Sequence, residues 1–239
     1  MNYRYLASLL LLGALGACRK QPNEQPAPEY ADWYAIKAPE ARAIEAVTGD
    51  IDGTLIISTR YNIYRTTDRG KTWQLAKYVG SPAVMGFTER RDTLFTLTSV
   101  LRRSGADTAT LYATFPLHYS ADQGLTWQQY TRDRTQAFYE RKTPRNRVRT
   151  PSGITCRLYQ EKIPVSPGST STYITGEGIK PDVGPLIKLP QEHMLSSIYL
   201  DSKARLYVAA SAPLCGRGKE FAFCGEENGV LYVSKAPLP

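Results

Sequence analysis

Two stretches of the chain repeat one pattern of side chains that could do chemistry. YRTTDRGKTW (64–73) and HYSADQGLTW (118–127) place a hydroxyl, an aspartate, a glycine, a threonine and a tryptophan at the same spacing. A carboxylate beside hydroxyls suits acid–base catalysis, but a catalytic carboxylate rarely occurs twice in identical frames. We predict structural turns, with a ligand or ion held by the turn as the alternative. The repeated positions are Thr66, Asp68, Gly70, Thr72 and Trp73, and Ser120, Asp122, Gly124, Thr126 and Trp127.

A basic stretch is the second candidate site. The formal net charge is +8, and residues 132–162 hold much of the excess. Arg145, Arg147 and Arg149 alternate, so a strand would place all three on one face, and Arg157 follows nearby. Arginine forks suit carboxylates, sulfates and phosphates. These four arginines are the predicted binding residues for an acidic glycan, a lipopolysaccharide phosphate or an acidic protein, and a solvated outer strand or mobile loop is the alternative.

The amino terminus predicts export and a lipid anchor. A basic start precedes an apolar run that is too short to span a bilayer, and the run ends in Leu15-Gly16-Ala17-Cys18. That ending resembles a bacterial lipobox, which implies cleavage before Cys18 and acylation of its sulfur. The alternative is a plain cleaved signal with a chance cysteine. Residues 1–17 are then the signal peptide, 18–30 a lipidated cysteine with a polar flexible tether, and 31–239 the folded domain.

The other three cysteines point to one disulfide and a spare thiol. Disulfides form in exported proteins, and Cys215 and Cys224 bracket a segment suited to a pinned hairpin loop. Cys156 is then unpaired and is expected to be buried. Phe221 and Phe223, between the paired cysteines, are expected to pack into the core or the loop, and exposure on a loop at one face of the fold is the alternative. The two histidines stand alone and no C-x-x-C motif is present, so no metal or cofactor is predicted.

The elements that position these residues repeat along the chain. Strand-like segments rich in tyrosine and β-branched residues surround both Asp motifs, and weaker copies follow them. The motif hydroxyls align at a nearly constant spacing as Thr66, Ser120, Thr175 and Ser234. Tandem units of about four strands are typical of propeller blades, so we predict an all-β fold.

The repeated motif resembles the Asp box, or BNR repeat, of sialidase-like β-propellers. In that family the motif is the turn between the third and fourth strands of a blade. The resemblance implies a small propeller of four or five blades with Asp-box turns. Residues 31–37 resemble a fourth strand, with Trp33 placed like Trp73, and are predicted to close the last blade. An open sheet and a smaller sandwich are the alternatives.

The same resemblance also implies which functions to consider. Sialidases of this family use three arginines from different blades, a Tyr–Glu pair, an aspartic acid and an early Arg-Ile-Pro motif. Here the nearest strings are Lys162-Ile163-Pro164, Tyr139–Glu140, and Tyr159 near Glu161. The family also includes non-enzymes that use their blades as docking surfaces.

We therefore expect a lipid-anchored, non-catalytic binding or scaffolding module of the bacterial cell envelope. Its partner would be an acidic glycan or an envelope protein, and not nucleic acid, which an exported lipoprotein rarely meets. The alternatives are a degenerate sialidase-like glycoside hydrolase and a purely structural envelope protein.

Overall fold

The structure is a computed structural model that describes residues 29–79, 82–102, 110–131, 141–216 and 220–239. The predicted signal peptide, Cys18 and nearly all of the tether lie outside these ranges. The strands are β1 (Trp33–Lys37), β2 (Ala46–Gly49), β3 (Leu55–Ser58), β4 (Ile63–Thr66), β5 (Gln74–Leu75), β6 (Gly86–Arg90), β7 (Thr93–Arg102), β8 (Leu111–Ser120), β9 (Gln128–Gln129), β10 (Thr143–Pro144), β11 (Arg147–Arg149), β12 (Thr155–Pro164), β13 (Thr172–Pro181), β14 (Leu195–Leu200), β15 (Leu206–Ala210), β16 (Leu214–Gly216), β17 (Ala222–Phe223) and β18 (Val230–Ser234).

Four antiparallel sheets form the blades of a β-propeller. Blade 1 is β2-β3-β4-β5, and blade 2 is β6-β7-β8 with β9 and β10 on the outer edge of β8. Blade 3 is β11-β12-β13, and blade 4 is β14-β15-β18-β1. The inner strands contact one another around the axis, β2 with β6 and β14, and β14 with β11. The fold is therefore all-β with four blades, because the remaining sheet is only the two-stranded hairpin β16–β17.

The predicted tandem repeat of four units is confirmed by the position of each motif hydroxyl. Thr66 ends β4, Ser120 ends β8, Thr175 lies in β13 and Ser234 ends β18. Each of these strands is the third of its blade. The repeated spacing therefore reports one blade per unit.

The amino-terminal strand closes the ring as predicted. β1 pairs antiparallel with β18, in a register that runs from Trp33 opposite Ser234 to Lys37 opposite Val230. The fourth strand of the last blade thus comes from the start of the domain. This pairing covers an edge of β18 that would otherwise be open for aggregation.

The core lies between blades, which explains the continuous apolar runs in the inner strands. In β3, Leu55 and Ile57 pack toward blade 4, while Ile56 packs toward blade 2. Alternate side chains of one strand thus enter two different cores, so both faces are buried. A further cluster joins blade 4 to blade 3 through Ile198 and Ile179. Between blades 2 and 3, the described residues form no such buried apolar cluster.

Backbone and amide hydrogen bonds join blades 2 and 3 near the axis. The Leu111 amide donates to Asn146 Oδ1 at 2.9 Å, and the Arg145 amide donates to the Leu111 carbonyl at 2.8 Å. The segment between the two blades is therefore fixed by polar contacts. Across the described parts of the chain, no helix has the length and apolar character needed to cross a membrane.

Candidate functional site

The two Asp motifs fold into turns with the same pattern of hydrogen bonds. Asp68 accepts from the Thr72 amide at 2.9 Å, the Thr72 hydroxyl at 2.6 Å and the Thr66 hydroxyl at 2.7 Å. Asp122 accepts the matching bonds from Thr126, at 3.0 and 2.6 Å, and from Ser120 at 2.7 Å. Each aspartate thus accepts three hydrogen bonds from its own turn. These contacts give both carboxylates a structural role in the hairpin.

The same contacts fix the charge of both carboxylates. Hydrogen bonds from Thr72, followed by that from Thr66, lower the pKa of Asp68 to about 2. Burial raises the pKa of Asp122, but hydrogen bonds from Thr126 and Ser120 outweigh it and lower the value to about 2. A carboxylate with so low a pKa is ionised at neutral pH. It therefore cannot serve as a general acid there.

Each turn needs its glycine for both conformation and space. Gly70 has φ 78° and Gly124 has φ 85°, in the left-handed region. A Cβ on Gly124 would lie 2.6 Å from Ile56 Cδ1, and one on Gly70 would collide with Ile36. The Asp boxes therefore also serve as packing points against neighbouring strands.

The two motif tryptophans differ in one hydrogen bond. Trp127 is buried, and its Nε1 donates to the Gly124 carbonyl at 3.1 Å. Trp73 is half-buried, and its buried Nε1 has no partner among the described residues. The first Asp box therefore keeps an unsatisfied donor that the second does not.

An ion network joins blades 1 and 4 at the end of the ring that carries the first Asp box. Arg205 Nε lies 2.8 Å from Asp201 Oδ2, its Nη1 lies 2.6 Å from Asp52 Oδ2, and its Nη2 contacts Asp50. Hydrogen bonds from Arg205, then from Lys203, lower the pKa of Asp52 to about 2. Arg69 of the Asp-box turn also contacts Asp52. Sequence reasoning missed this network, although Asp201 and Arg205 stand four residues apart.

Arg145 is separated from the other predicted binding residues, so the expectation that three alternating arginines share one face is wrong. Arg145 precedes β11, and its Nη2 lies 2.9 Å from Glu45 Oε2 and 3.2 Å from the Glu45 carbonyl. The two side chains are only 11% and 19% exposed. The physical reason is that the chain crosses from blade 2 to blade 3 at this point. Arg145 therefore lies before β11 and joins inner segments of different blades near the axis.

The remaining three arginines share one face of blade 3. Val148 packs toward blade 4, so its strand neighbours Arg147 and Arg149 lie on the opposite face. Arg157 is directly opposite Arg147 in the sheet, and Lys180 is directly opposite Arg157. Arg149, Arg157 and Lys180 are exposed and Arg147 is half-buried. We call these four side chains the basic face.

Asp182 lies beside the basic face. Asp182 Oδ1 is 3.3 Å from Arg157 Nη2, and the two side chains are 45% and 47% exposed. Exposed pairs of this kind contribute little to stability and exchange readily with solvent ions. The structure therefore brings together Arg147, Arg149 and Arg157, adds Lys180, and removes Arg145.

The cysteines take the predicted states, and the nearby aromatics are exposed. Cys215 and Cys224 form a disulfide across the β16–β17 hairpin, and Cys156 is a buried free thiol. Phe221 and Phe223 do not pack into the core. They are 45% and 42% exposed and stack edge-on against each other in the hairpin.

The described residues that were compared with a sialidase site all lie on β12. Tyr159 and Glu161 are exposed on β12, and the Lys162-Ile163-Pro164 string ends that strand. Tyr139–Glu140 lies outside the described residues. Within the described ranges, no group of three or more His, Cys, Asp or Glu side chains is placed to hold a metal ion.

Comparisons with known proteins give structural likeness only. No protein-family model matches the chain, and no curated protein matches it. YCF48 bound to a D1 peptide is similar over 87% of this chain and 98% of its own, at 13% identity and a TM-score of 0.36. YCF48 from Cyanidioschyzon merolae covers 86% of both chains at 11% identity and a TM-score of 0.27. A streptogramin B lyase covers 89% of this chain and 61% of its own, at 10% identity and a TM-score of 0.30. Likeness at these values says nothing about the function of this chain.

Proposed function

We propose that this protein is a lipid-anchored β-propeller of the bacterial cell envelope that binds an acidic glycan, without catalysis, through the basic face of blade 3. The observation that carries the proposal is the transverse row of Arg147, Arg157 and Lys180, with Arg149 two positions along the same strand as Arg147. The Asp-box carboxylates are not candidates for general acids at neutral pH, because hydrogen bonds from their own turns hold them ionised.

The row places three cations directly opposite one another on three adjacent strands. Like charges directly opposite each other on adjacent strands are destabilising. Asp182 offsets part of the repulsion at Arg157. A linear polyanion would offset it along the whole row. Sulfate and carboxylate groups also match the fork geometry of arginine, so an acidic glycan fits the chemistry better than a neutral one.

The location follows from the amino-terminal sequence. The Leu15-Gly16-Ala17-Cys18 string supports an acylated Cys18, and several acyl chains give stable anchoring at a membrane surface. The polar segment up to Tyr30 supports a tether that holds the propeller off the lipid. An anchored propeller of this kind would meet envelope glycans rather than nucleic acid.

A glycan array tests the proposal. The full-length protein in mild detergent is probed against sulfated, carboxylated and neutral glycans, beside an Arg149→Ala/Arg157→Ala/Lys180→Ala variant. The matched control, Arg42→Ala/Lys71→Ala/Lys77→Ala, removes three exposed cations from outside blade 3. We expect acidic glycans to bind the wild type and the control, and the blade 3 variant to lose at least about tenfold in affinity, or about 1.4 kcal/mol.

Two results would contradict the proposal. Equal binding by the blade 3 variant and the control would place any glycan site elsewhere. Absence of binding to every acidic glycan would remove the glycan from the account.

A further inference from the structure

A groove of about 1090 Å³ runs along β1 at the junction of blades 4 and 1. Its floor includes Ala35 and Lys37 of β1. One wall is the first Asp-box turn, with Arg69 and Trp73, and the other is the segment 224–228 that follows the disulfide hairpin. The volume is of the size that ligand sites have. The groove is separate from the basic face, which lies on blade 3.

The floor of the groove is a free strand edge. β1 is the last strand of its sheet, and no described strand pairs with its outer side. The Ala38 amide donates to the Gly229 carbonyl, and the Lys235 amide donates to the Asp32 carbonyl. Even-numbered residues of β1 therefore face β18, because antiparallel pairs alternate between bonded and non-bonded positions.

The odd-numbered residues of β1 consequently point their backbone groups outward. Trp33, Ala35 and Lys37 present three N–H and three C=O groups along the edge. Their spacing is that of the next strand in an antiparallel sheet. Natural proteins usually protect such edges with charged side chains or a covering element. Here the charged residue at the end of the edge, Lys37, is paired with Glu226 at 2.6 Å.

The wall of the groove adds apolar surface. Trp73 lines the groove on the side of the first Asp-box turn. Ile36, whose side chain points to the blade 1 side of β1, also lines the groove. A strand laid on the edge would place alternate side chains against Trp73 and Ile36.

We propose that this groove binds an extended peptide segment of a partner protein, which adds to blade 4 as a fifth strand beside β1. Main-chain hydrogen bonds to Trp33, Ala35 and Lys37 supply affinity, and apolar side chains at alternate positions pack against Trp73. This is β-strand addition.

The walls decide between a peptide and a second copy of this chain. The β1 edge lies between the Asp-box turn and the segment 224–228. Two propellers that approached edge to edge would bring these walls into contact before their β1 strands could pair. A single extended segment enters without that clash. Its length is set by the five residues of β1, or about 17 Å of strand.

The test selects peptides and then blocks the edge. A random peptide library is panned against the full-length protein in mild detergent. Selected peptides are titrated against the wild type, Ala35→Pro and the matched control Ala35→Ser. Proline removes only the outward N–H of residue 35, and proline is tolerated on edges whose N–H faces solvent. We expect at least tenfold weaker binding to Ala35→Pro and no change for Ala35→Ser.

Hydrogen exchange on the wild type keeps the proposal testable if Ala35→Pro does not fold. We expect peptide binding to slow exchange of the outward amides of Trp33, Ala35 and Lys37 at least tenfold. The proposal is overturned if no peptide is enriched, if selected peptides bind a folded Ala35→Pro as tightly as the wild type, or if exchange in 33–37 is unchanged.

Discussion

Replacing Arg145 by alanine tests whether this residue stabilises the fold or contacts a ligand. In the structure, its guanidinium lies 2.9 Å from the Glu45 carboxylate and also reaches the Glu45 carbonyl. It lies 3.7 Å from Met85 Sδ, so the side chain touches both blade 1 and the start of blade 2. The Arg145 carbonyl accepts from the Ile198 amide of blade 4 at 2.7 Å.

The expected magnitude follows from the exposure of the pair. Removing one partner of a fully buried ion pair costs about 3–5 kcal/mol, because the other charge is left without compensation. Glu45 keeps 19% exposure, so water recovers part of that cost. We expect Arg145→Ala to lower the free energy of unfolding by about 2–4 kcal/mol. Arg149→Ala, at an exposed position, should stay within about 0.5 kcal/mol of the wild type.

Urea denaturation followed by tryptophan fluorescence measures both variants. Because the slope for a small protein is about 1–3 kcal/mol per molar urea, the Arg145→Ala midpoint should fall by about 0.7 M or more. Glycan binding by Arg145→Ala at low temperature, where it is still folded, should match the wild type. An Arg145→Ala protein with unchanged stability but no glycan binding would refute the assignment of Arg145 to the axis.

Further predictions concern the turns, the ion network and the disulfide. Gly124→Ala should lower the free energy of unfolding by about 1–3 kcal/mol more than Gly168→Ala in thermal denaturation, because both have positive φ but only Gly124 lacks room for a Cβ, beside Ile56; equal losses would show that the clash is relieved. Asp52, Asp68 and Asp122 have folded pKa values of about 2 against 3.8, so the stability they contribute is present above pH 4 and is lost as the pH falls from about 4 to 2. Asp52→Asn should make acid unfolding over that window shallower, and an unchanged curve would contradict the role of Arg205. Cys215→Ser/Cys224→Ser should speed proteolysis of the β16–β17 hairpin and leave the melting temperature of the blades nearly unchanged, whereas a large drop in that temperature would show that the hairpin supports the ring.

The parts of the fold that could be predicted from the sequence are those that the local spacing of residues determines. The turn chemistry of the Asp boxes is complete within eight residues, from Thr66 to Trp73, so the residue pattern alone is enough to infer it. The closing strand was also predictable, because Trp33 stands at the same place in its segment as Trp73. In both cases one blade serves as a template for another.

The unpredicted parts depend on contacts between distant segments. Arg205 meets Asp50 and Asp52 only because the ring brings blade 4 beside blade 1. The alternating arginines predicted that Arg145 belongs to a strand. In the structure it precedes β11, where the chain crosses between blades 2 and 3. Lys180 joined the basic face through a strand register that no local pattern shows. The β1 groove exists only after closure, since its two walls come from residues near 70 and near 226.

The most direct test of the account is the affinity of the full-length protein for an acidic glycan at two salt concentrations. We predict that binding weakens as salt rises, because exposed charges are screened. The Arg149→Ala/Arg157→Ala/Lys180→Ala variant should bind at least tenfold more weakly at low salt, with an unchanged melting temperature. Wild-type affinity in that variant, or affinity that does not respond to salt, would contradict recognition by the basic face of blade 3.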